Sequence, residues 1–311
     1  CCGQNFGTPI CENFGGNVVV FGGDFRQILP IVPRGCRLDI VHVTINSSYL
    51  WHQCNISTLS KNMHEKLSES NDGCVEVYIP EELSILDFDN PIDAIVCTIL
   101  ASTIEIVDQI NDYILSIIPG EEKEYLSSDE VYMSDVNDIE TLNILTPEFL
   151  NTLSTFCLPN RKIKLKVGTP IMLLRNLDQA DELCNDTRLV LTRMTKHVLE
   201  AKIISGKKTR NIIYILRMSM SSSQSPWTFK MIRRQFSIIV SYAMTINKSQ
   251  GQSLESIGLY LHRPVFSHGQ LYIAISRVQS KKGLKILIHD KDFQPLKSTT
   301  NIVYKEVFQN L

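Results

Sequence analysis

The stretch 159–236 constrains this chain most. Five short strand-like runs, at 165–167, 170–174, 189–192, 198–204 and 212–216, are separated by glycine, an Asn-Asp pair and basic turns. Closely spaced short strands of this kind predict a small β-barrel. A different texture stands on both sides. Residues 17–21 are a β-branched run closed by Gly22 and Gly23, which reads as a buried strand ending at a loop. Residues 92–100 contain a second apolar run, and 103–117 carry apolar residues at 106, 107, 110, 114 and 117, a helical period stopped by Pro119 and Gly120. The acidic, serine-rich 120–141 reads as a surface connection and 219–225 as a polar loop. After the barrel the α/β pattern resumes: strands at 236–242, 257–261 and 284–288, with a helix over 268–278. The expected fold class is α/β with an inserted β-barrel.

Charge divides the chain. Residues 1–150 hold 6 Lys/Arg and 24 Asp/Glu, whereas 151–311 hold 25 and 9, a balance of -18 against +16. A basic half of that size fits a polyanion such as nucleic acid, and equally a solvated face balanced by the acidic half. The nine cysteines form no C-x-x-C and the seven histidines no H-x-x-x-H, so neither a disulfide framework nor a zinc site is expected. No apolar stretch approaches the ~18 residues of a membrane span. The N-terminus lacks the features of a signal peptide, and without an initiator methionine the chain is expected to begin mid-protein.

Three polar clusters can carry chemistry. The first is 22–30, with Gly23, Asp24, Arg26 and Gln27 just beyond a strand, where open α/β sheets place ligands. The second is 243–254, with Thr245, Asn247, Lys248, Ser249, Gln250 and Gly251. The third is 269–278, ending in Ser276, Arg277 and Val278. Any one of them alone also fits an ordinary loop or amphipathic helix.

Taken together and in this order, the clusters resemble the motor motifs of superfamily-one helicases, in the Pif-type (RecD-related) branch. The likeness continues through 46–51, 111–113, 174–178 and 266–270 and covers nearly the whole chain; it is nearest to the Pif-like helicases of plant Helitron transposons. The resemblance implies an ATP-dependent DNA helicase with RecA-like parallel-sheet motor lobes, the first truncated, and an inserted small SH3-like β-barrel. It implies a first-lobe remnant at 1–58, a second lobe at 59–160 and 237–311, and the barrel at 161–236. Gln27 would sense the γ-phosphate, since an amide can donate to phosphate and accept from the attacking water. Arg277 would be the arginine finger, typically worth about 10³–10⁵ in rate. Gly23, Asp24, Gln250 and Gly251 would complete the nucleotide contacts. Thr245, Lys248, Ser249 and His268 would meet DNA. Arg161, Lys162, Lys164, Lys166, Arg175, Arg188, Arg193 and Lys196 would line a backbone-tracking groove for single-stranded DNA. The implied cofactors are ATP and Mg2+, and the implied partners single-stranded DNA and duplex junctions, with no membrane and no small-molecule metabolite. Family roles are DNA repair, recombination, telomere maintenance or transposition, in the nucleus or mitochondrion.

The sequence also departs from that pattern. No G-x-x-x-x-G-K-[ST] run is present, and Gly206-Lys207-Lys208-Thr209 lacks the upstream glycine. Asp129-Glu130 reads as part of a polar loop rather than as the Mg2+-holding pair after a strand. Truncation is therefore expected, with the main phosphate and metal ligands outside this chain and weak MgATP binding by the chain alone. His64 stands where the family has arginine, Asn185-Asp186-Thr187 replaces an Asn-Gly-Thr turn, and 101–103 differ from the family's Pro-Thr-Asn. Two alternatives stay open: an ATPase-dead single-stranded-DNA-binding fragment, and a transposon relic.

Overall fold

The computed structural model describes residues 22–32, 34–48, 51, 57, 73–85, 98–132, 158–178, 181, 183–204, 211–221, 230–290, 292 and 294–308. The strand expected at 17–21, most of the run at 92–100 and His64 lie outside them.

In chain order the elements are α1 (Arg37–His42), a 3-10 turn (Ile45–Ser47), β1 (Gly73–Tyr78), β2 (Thr98–Ala101), α2 (Ile104–Ile117), β3 (Lys123–Leu126), β4 (Ser128–Tyr132), β5 (Lys162–Leu165), β6 (Pro170–Leu173) and β7 (Arg188–Met194). There follow β8 (Val198–Ile203), β9 (Ile212–Ser221), β10 (Lys230–Phe236), β11 (Ile238–Val240), β12 (Ala243–Thr245), a 3-10 turn (Ile246–Ser249), β13 (Ile257–Leu261) and α3 (Gln270–Ser276). A 3-10 turn (Lys281–Gly283), β14 (Leu284–Ile288), β15 (Ser298–Val303) and a last 3-10 turn (Lys305–Phe308) close the chain. Two compact units result, one of 1–89, 99–106 and 245–311, the other of 90–98 and 107–244.

The first unit is α/β. β2, β13 and β14 lie side by side in that order, and β13 and β14 run parallel in the register Ile257↔Leu284 to Leu261↔Ile288. A parallel pair needs a crossover, which α3 supplies. Strands covered on both faces read as near-continuous apolar runs, and Ile257, Leu259, Leu261, Leu284, Ile286, Leu287 and Ile288 are all buried. Beyond β14 the segment around Ser84 continues the sheet, with Ile286 N–H donating to the Leu83 carbonyl at 2.7 Å. β1 pairs antiparallel with β15, Gly73↔Val303 to Tyr78↔Ser298.

The second unit is built on a seven-stranded antiparallel sheet in the order β11-β6-β7-β8-β9-β10-β4, with β3 and β5 paired separately. Alternation along β7 and β8 turns Leu189, Leu191, Leu199, Ala201 and Ile203 inward, the period-2 pattern of a sheet with one wet face. Tyr125 and Phe236 meet edge to face in this core, with ring centroids 5.3 Å apart. Asn111 of α2 is buried: its amide donates to the Val240 and Ala243 carbonyls and accepts from Ala243 N–H at 2.8 Å.

Several expectations need correcting. Part of the acidic 120–141 forms β3 and β4 instead of a surface connection. Asp129 is thus a strand residue, and its carboxylate takes three hydrogen bonds from Arg233 of β10, at 2.7–3.1 Å. Both side chains are almost wholly buried, at 2% and 4% exposure. β9 runs through Ser221, into the expected polar loop, and the strand expected at 236–242 is divided into the end of β10 and the short β11. β15 was not foreseen; only Thr299 of its six residues is buried. At the Asn185-Asp186-Thr187 turn Asp186 adopts φ 64, the left-handed conformation in which glycine is easiest.

Candidate nucleotide site

The first cluster is a tight turn. Asp24 organises it: its carbonyl accepts from Gln27 N–H at 3.1 Å and its Oδ1 from Arg26 N–H at 3.0 Å. Aspartate favours such turns because its side chain can imitate the backbone acceptor. The turn directs the Gln27 side chain at the second cluster. There Gln250 Nε2 donates to Gln27 Oε1 at 3.0 Å, while Gln27 Nε2 reaches Asp24 Oδ2 at 3.5 Å. Two of the polar clusters, 223 residues apart, thereby share one site.

The second cluster is a strand followed by a 3-10 turn. Thr245 caps the turn, its hydroxyl accepting from Lys248 N–H at 3.4 Å. Ser249 is buried, and its hydroxyl donates to the Ile246 carbonyl at 2.7 Å. Lys248 is half-buried and Gln250 exposed. Gly251 takes φ 80, so the chain turns where a side chain would be strained.

The third cluster holds the first in place. Gly269 precedes α3 at φ 72, and a Cβ there would lie 2.3 Å from the Arg26 carbonyl oxygen and 2.5 Å from the Gln27 carbonyl carbon. Only glycine allows this approach. His268 is buried beside it. Its Nδ1 accepts from Tyr304 N–H at 2.9 Å, which leaves the ring proton on Nε2 to donate to the Phe25 carbonyl at 2.8 Å. Burial, the largest cause, and the nearby Arg37 cation lower its pKa, against the Phe25 bond and Glu306, which raise it. Gln270 is buried too, donating to the Ser102 carbonyl at 3.4 Å and to Asn247 Oδ1 at 3.5 Å, and accepting from Phe266 N–H at 3.1 Å.

Arg277 ends α3. Its Nη1 donates to the Gln252 carbonyl at 3.4 Å and its Nη2 to Ser276 Oγ at 3.0 Å, while its buried Nε has no partner. Neither acceptor belongs to the Asp24–Gln27 turn; the link to that turn runs through the 245–252 loop. Gly23 is exposed with open space around it. Sequence reasoning missed Tyr272. Burial raises the pKa of its phenol first, followed by a hydrogen bond and the charge of Asp24, with Arg26 opposing. Its place two residues after Gln270, inside the third cluster, was the available signal. Trp51, edge-on to Phe25 at 5.6 Å, and Tyr304 were also missed as site neighbours.

In the second unit the eight basic residues separate into three groups. Lys166 and Arg188 are structural: Lys166 Nζ donates to the Ile118 carbonyl at 2.7 Å, and Arg188 donates to Thr98 Oγ1 at 2.5 Å and the Ser241 carbonyl at 3.2 Å, with burial lowering its pKa. Lys162 and Lys164 pair with Glu124 and Glu122 at 2.6 and 3.6 Å, and Arg175 donates to the Ser221 carbonyl at 2.9 Å. Arg193 and Lys196 are exposed, and Arg161 is half-buried with its Nε unpartnered.

A family model described as PIF1-like helicase matches residues 7–77, and a second, DNA helicase Pif1, 2B domain, matches 148–194. The ATP-dependent DNA helicases PIF1 of Xenopus laevis and Homo sapiens are each 26% identical, over 301 and 299 residues, 91% of this chain. Over most of its length the chain is similar to the Pif1-type helicases. It spans 42% of the length of those two proteins, and 58% of the Bdellovibrio bacteriovorus Pif1 helicase, which is 26% identical over 88% of the chain. Among solved structures, Bacteroides Pif1 bound to ssDNA aligns with 66% of this chain and 43% of its own at 21% identity and a TM-score of 0.49. Candida albicans Pif1 helicase aligns with 61% and 44% at 25% identity and 0.46. Both matched family segments are Pif1-type: the first contains the Asp24–Gln27 turn, and the second runs from residue 148 into β7.

Proposed function

We propose that this chain is the distal motor portion of an ATP-dependent DNA helicase, which couples ATP hydrolysis to movement on single-stranded DNA and to opening of duplex junctions. The observation that carries the reading is the Gln250–Gln27 hydrogen bond, which joins the turn after the first cluster to the loop of the second. Gln27 would orient the attacking water and contact the γ-phosphate, as an amide with a donor and an acceptor can. Arg277 would swing its guanidinium from Gln252 to the transferring phosphoryl group, where a planar fork of donors meets developing charge. Gly23, Asp24, Gln250 and Gly251 would line the nucleotide. Thr245, Lys248 and Ser249 would link the nucleotide to the DNA track. For His268 the geometry favours holding the turn over touching DNA, since both ring nitrogens are engaged by backbone.

ATP suits these side chains: two carboxamides and a guanidinium with an unpartnered Nε are donors for phosphate oxygens. Among the described residues no group of three or more His, Cys, Asp or Glu is placed to hold a metal. The division into 1–58, 59–160 with 237–311, and 161–236 belongs to the same proposal, as do a nuclear or mitochondrial location and service in repair, recombination, telomere maintenance or transposition.

The test is ATP hydrolysis with and without single-stranded DNA, by a form of the protein that carries a phosphate-binding loop, beside its Arg277→Ala variant. DNA-stimulated hydrolysis lost by at least about 10³-fold in the variant is expected. A folded, DNA-binding protein that hydrolyses no ATP would overturn the reading in favour of a DNA-binding module without an ATP cycle.

A further inference from the structure

We propose that His268 is a positioning residue that sets the Phe25–Gln27 turn, and with it the reach of Gln27 to Gln250, by clamping that turn to the C-terminal segment 298–308. The inference deepens the nucleotide-site reading and rests on it for its consequence, but its geometry stands alone. One imidazole bridges two backbones far apart in sequence, donating from Nε2 to Phe25 and accepting at Nδ1 from Tyr304. The ring also packs on Tyr304 and Phe308, with centroids at 5.4 and 5.9 Å. Next to it the bare Cα of Gly269 lets the Arg26 and Gln27 backbone settle on the start of α3. The far side of the clamp is itself anchored. Arg37 lies 4.5 Å over the Tyr304 ring and pairs with Glu306 at 2.6 Å, and Asn46 Nδ2 donates to the Val307 carbonyl at 2.8 Å. Removing the imidazole takes away the backbone tie at Phe25 while these anchors persist.

The two bonds can be separated by substitution. Glutamine places its amide nitrogen near the position of Nε2 and keeps the donor to Phe25; asparagine ends near Nδ1 and keeps only the partner to Tyr304. The chain has two tryptophans, and Trp227→Phe leaves Trp51, which packs on Phe25, as the reporter. In that background His268→Ala is expected to shift Trp51 emission, His268→Gln to restore it and His268→Asn not to. In a form that carries a phosphate-binding loop, a fluorescent ATP analogue should bind about five- to tenfold more weakly to the alanine and asparagine variants than to the glutamine variant. Trp51 emission unchanged in His268→Ala, or restored by asparagine and not by glutamine, overturns the clamp. Should His268→Ala fail to fold by circular dichroism, the glutamine–asparagine pair decides alone. Absence of analogue binding by the parent of that form would sink the nucleotide reading, and Trp51 would still decide the clamp.

Discussion

Two sets of polar side chains, one in each unit, are bonded to different degrees. In the second unit the buried Arg233 and Gln235 are held by several partners each. Arg233 makes three bonds to Asp129 and a fourth to the Pro159 carbonyl, and Gln235 donates to the Tyr125 and Arg161 carbonyls while accepting from Phe236 N–H. In the first unit the polar clusters are incompletely bonded: Gln27 holds Asp24 at 3.5 Å, Arg277 has an unpartnered Nε, and Gln250 is exposed. Buried groups must find partners because leaving one bare costs about 1–3 kcal/mol. Groups left with spare donors beside a tight turn are free to take a ligand. Several basic residues of the second unit, Lys166, Arg188 and Arg233 among them, are taken up by bonds within the fold, so a count of basic residues is a weak guide to function.

This contrast can be broken at its strong end first. Arg233→Ala strands a buried carboxylate and should destabilise the second unit by about 3–5 kcal/mol, read as a lowered midpoint in urea; a shift under about 1 kcal/mol would refute the buried pair's structural role. Gly269→Ala comes next. The strained φ alone costs about 1–2 kcal/mol, and the clash with Arg26 adds displacement of the turn. Thermal unfolding should fall, and Trp51 emission should move as in His268→Ala.

A pH effect of intermediate size follows from His268. Its folded-state pKa lies below the ordinary value of about 6.5. The unfolded chain then binds more protons between the two values, so stability rises with pH across that window and is lost as pH falls through it. Measuring unfolding from pH 7.5 down to about 5 should show this decline, and His268→Gln should flatten it. The smallest effect is at Asp186, where Asp186→Gly relieves a left-handed backbone and should raise stability by about 0.5 kcal/mol. A destabilisation there would mean that the Asn185–Asp186 side-chain bond at 2.9 Å outweighs the strain.

What could be read in the sequence follows the same physics. β13, β14 and α2 announce themselves because their burial is continuous or helical in period. β3 and β4 do not: Tyr125 alone of β3 points into the core, and the partner that buries Asp129 is 104 residues away. β15 has a Ser-Thr-Thr-Asn start and gains its place from pairing with β1. Within the site, the order of the clusters singled out Gln27, Gln250 and Arg277, and the fold brings the first two within 3.0 Å of each other. The role of His268 was not, because a histidine's two nitrogens are assigned by what the fold brings to them, and Tyr304 lies 36 residues on.

The central claim is that the Asp24–Gln27 turn and the 245–252 loop act as one site, and a double-mutant cycle tests it most directly. DNA-stimulated ATP hydrolysis would be measured for the parent, Gln27→Ala, Gln250→Ala and the pair, in a form carrying a phosphate-binding loop. The account predicts that each single change lowers kcat/KM and that the double variant is little worse than the poorer single, a coupling of about 1 kcal/mol or more. Losses that add independently, or no loss at either position, would contradict it.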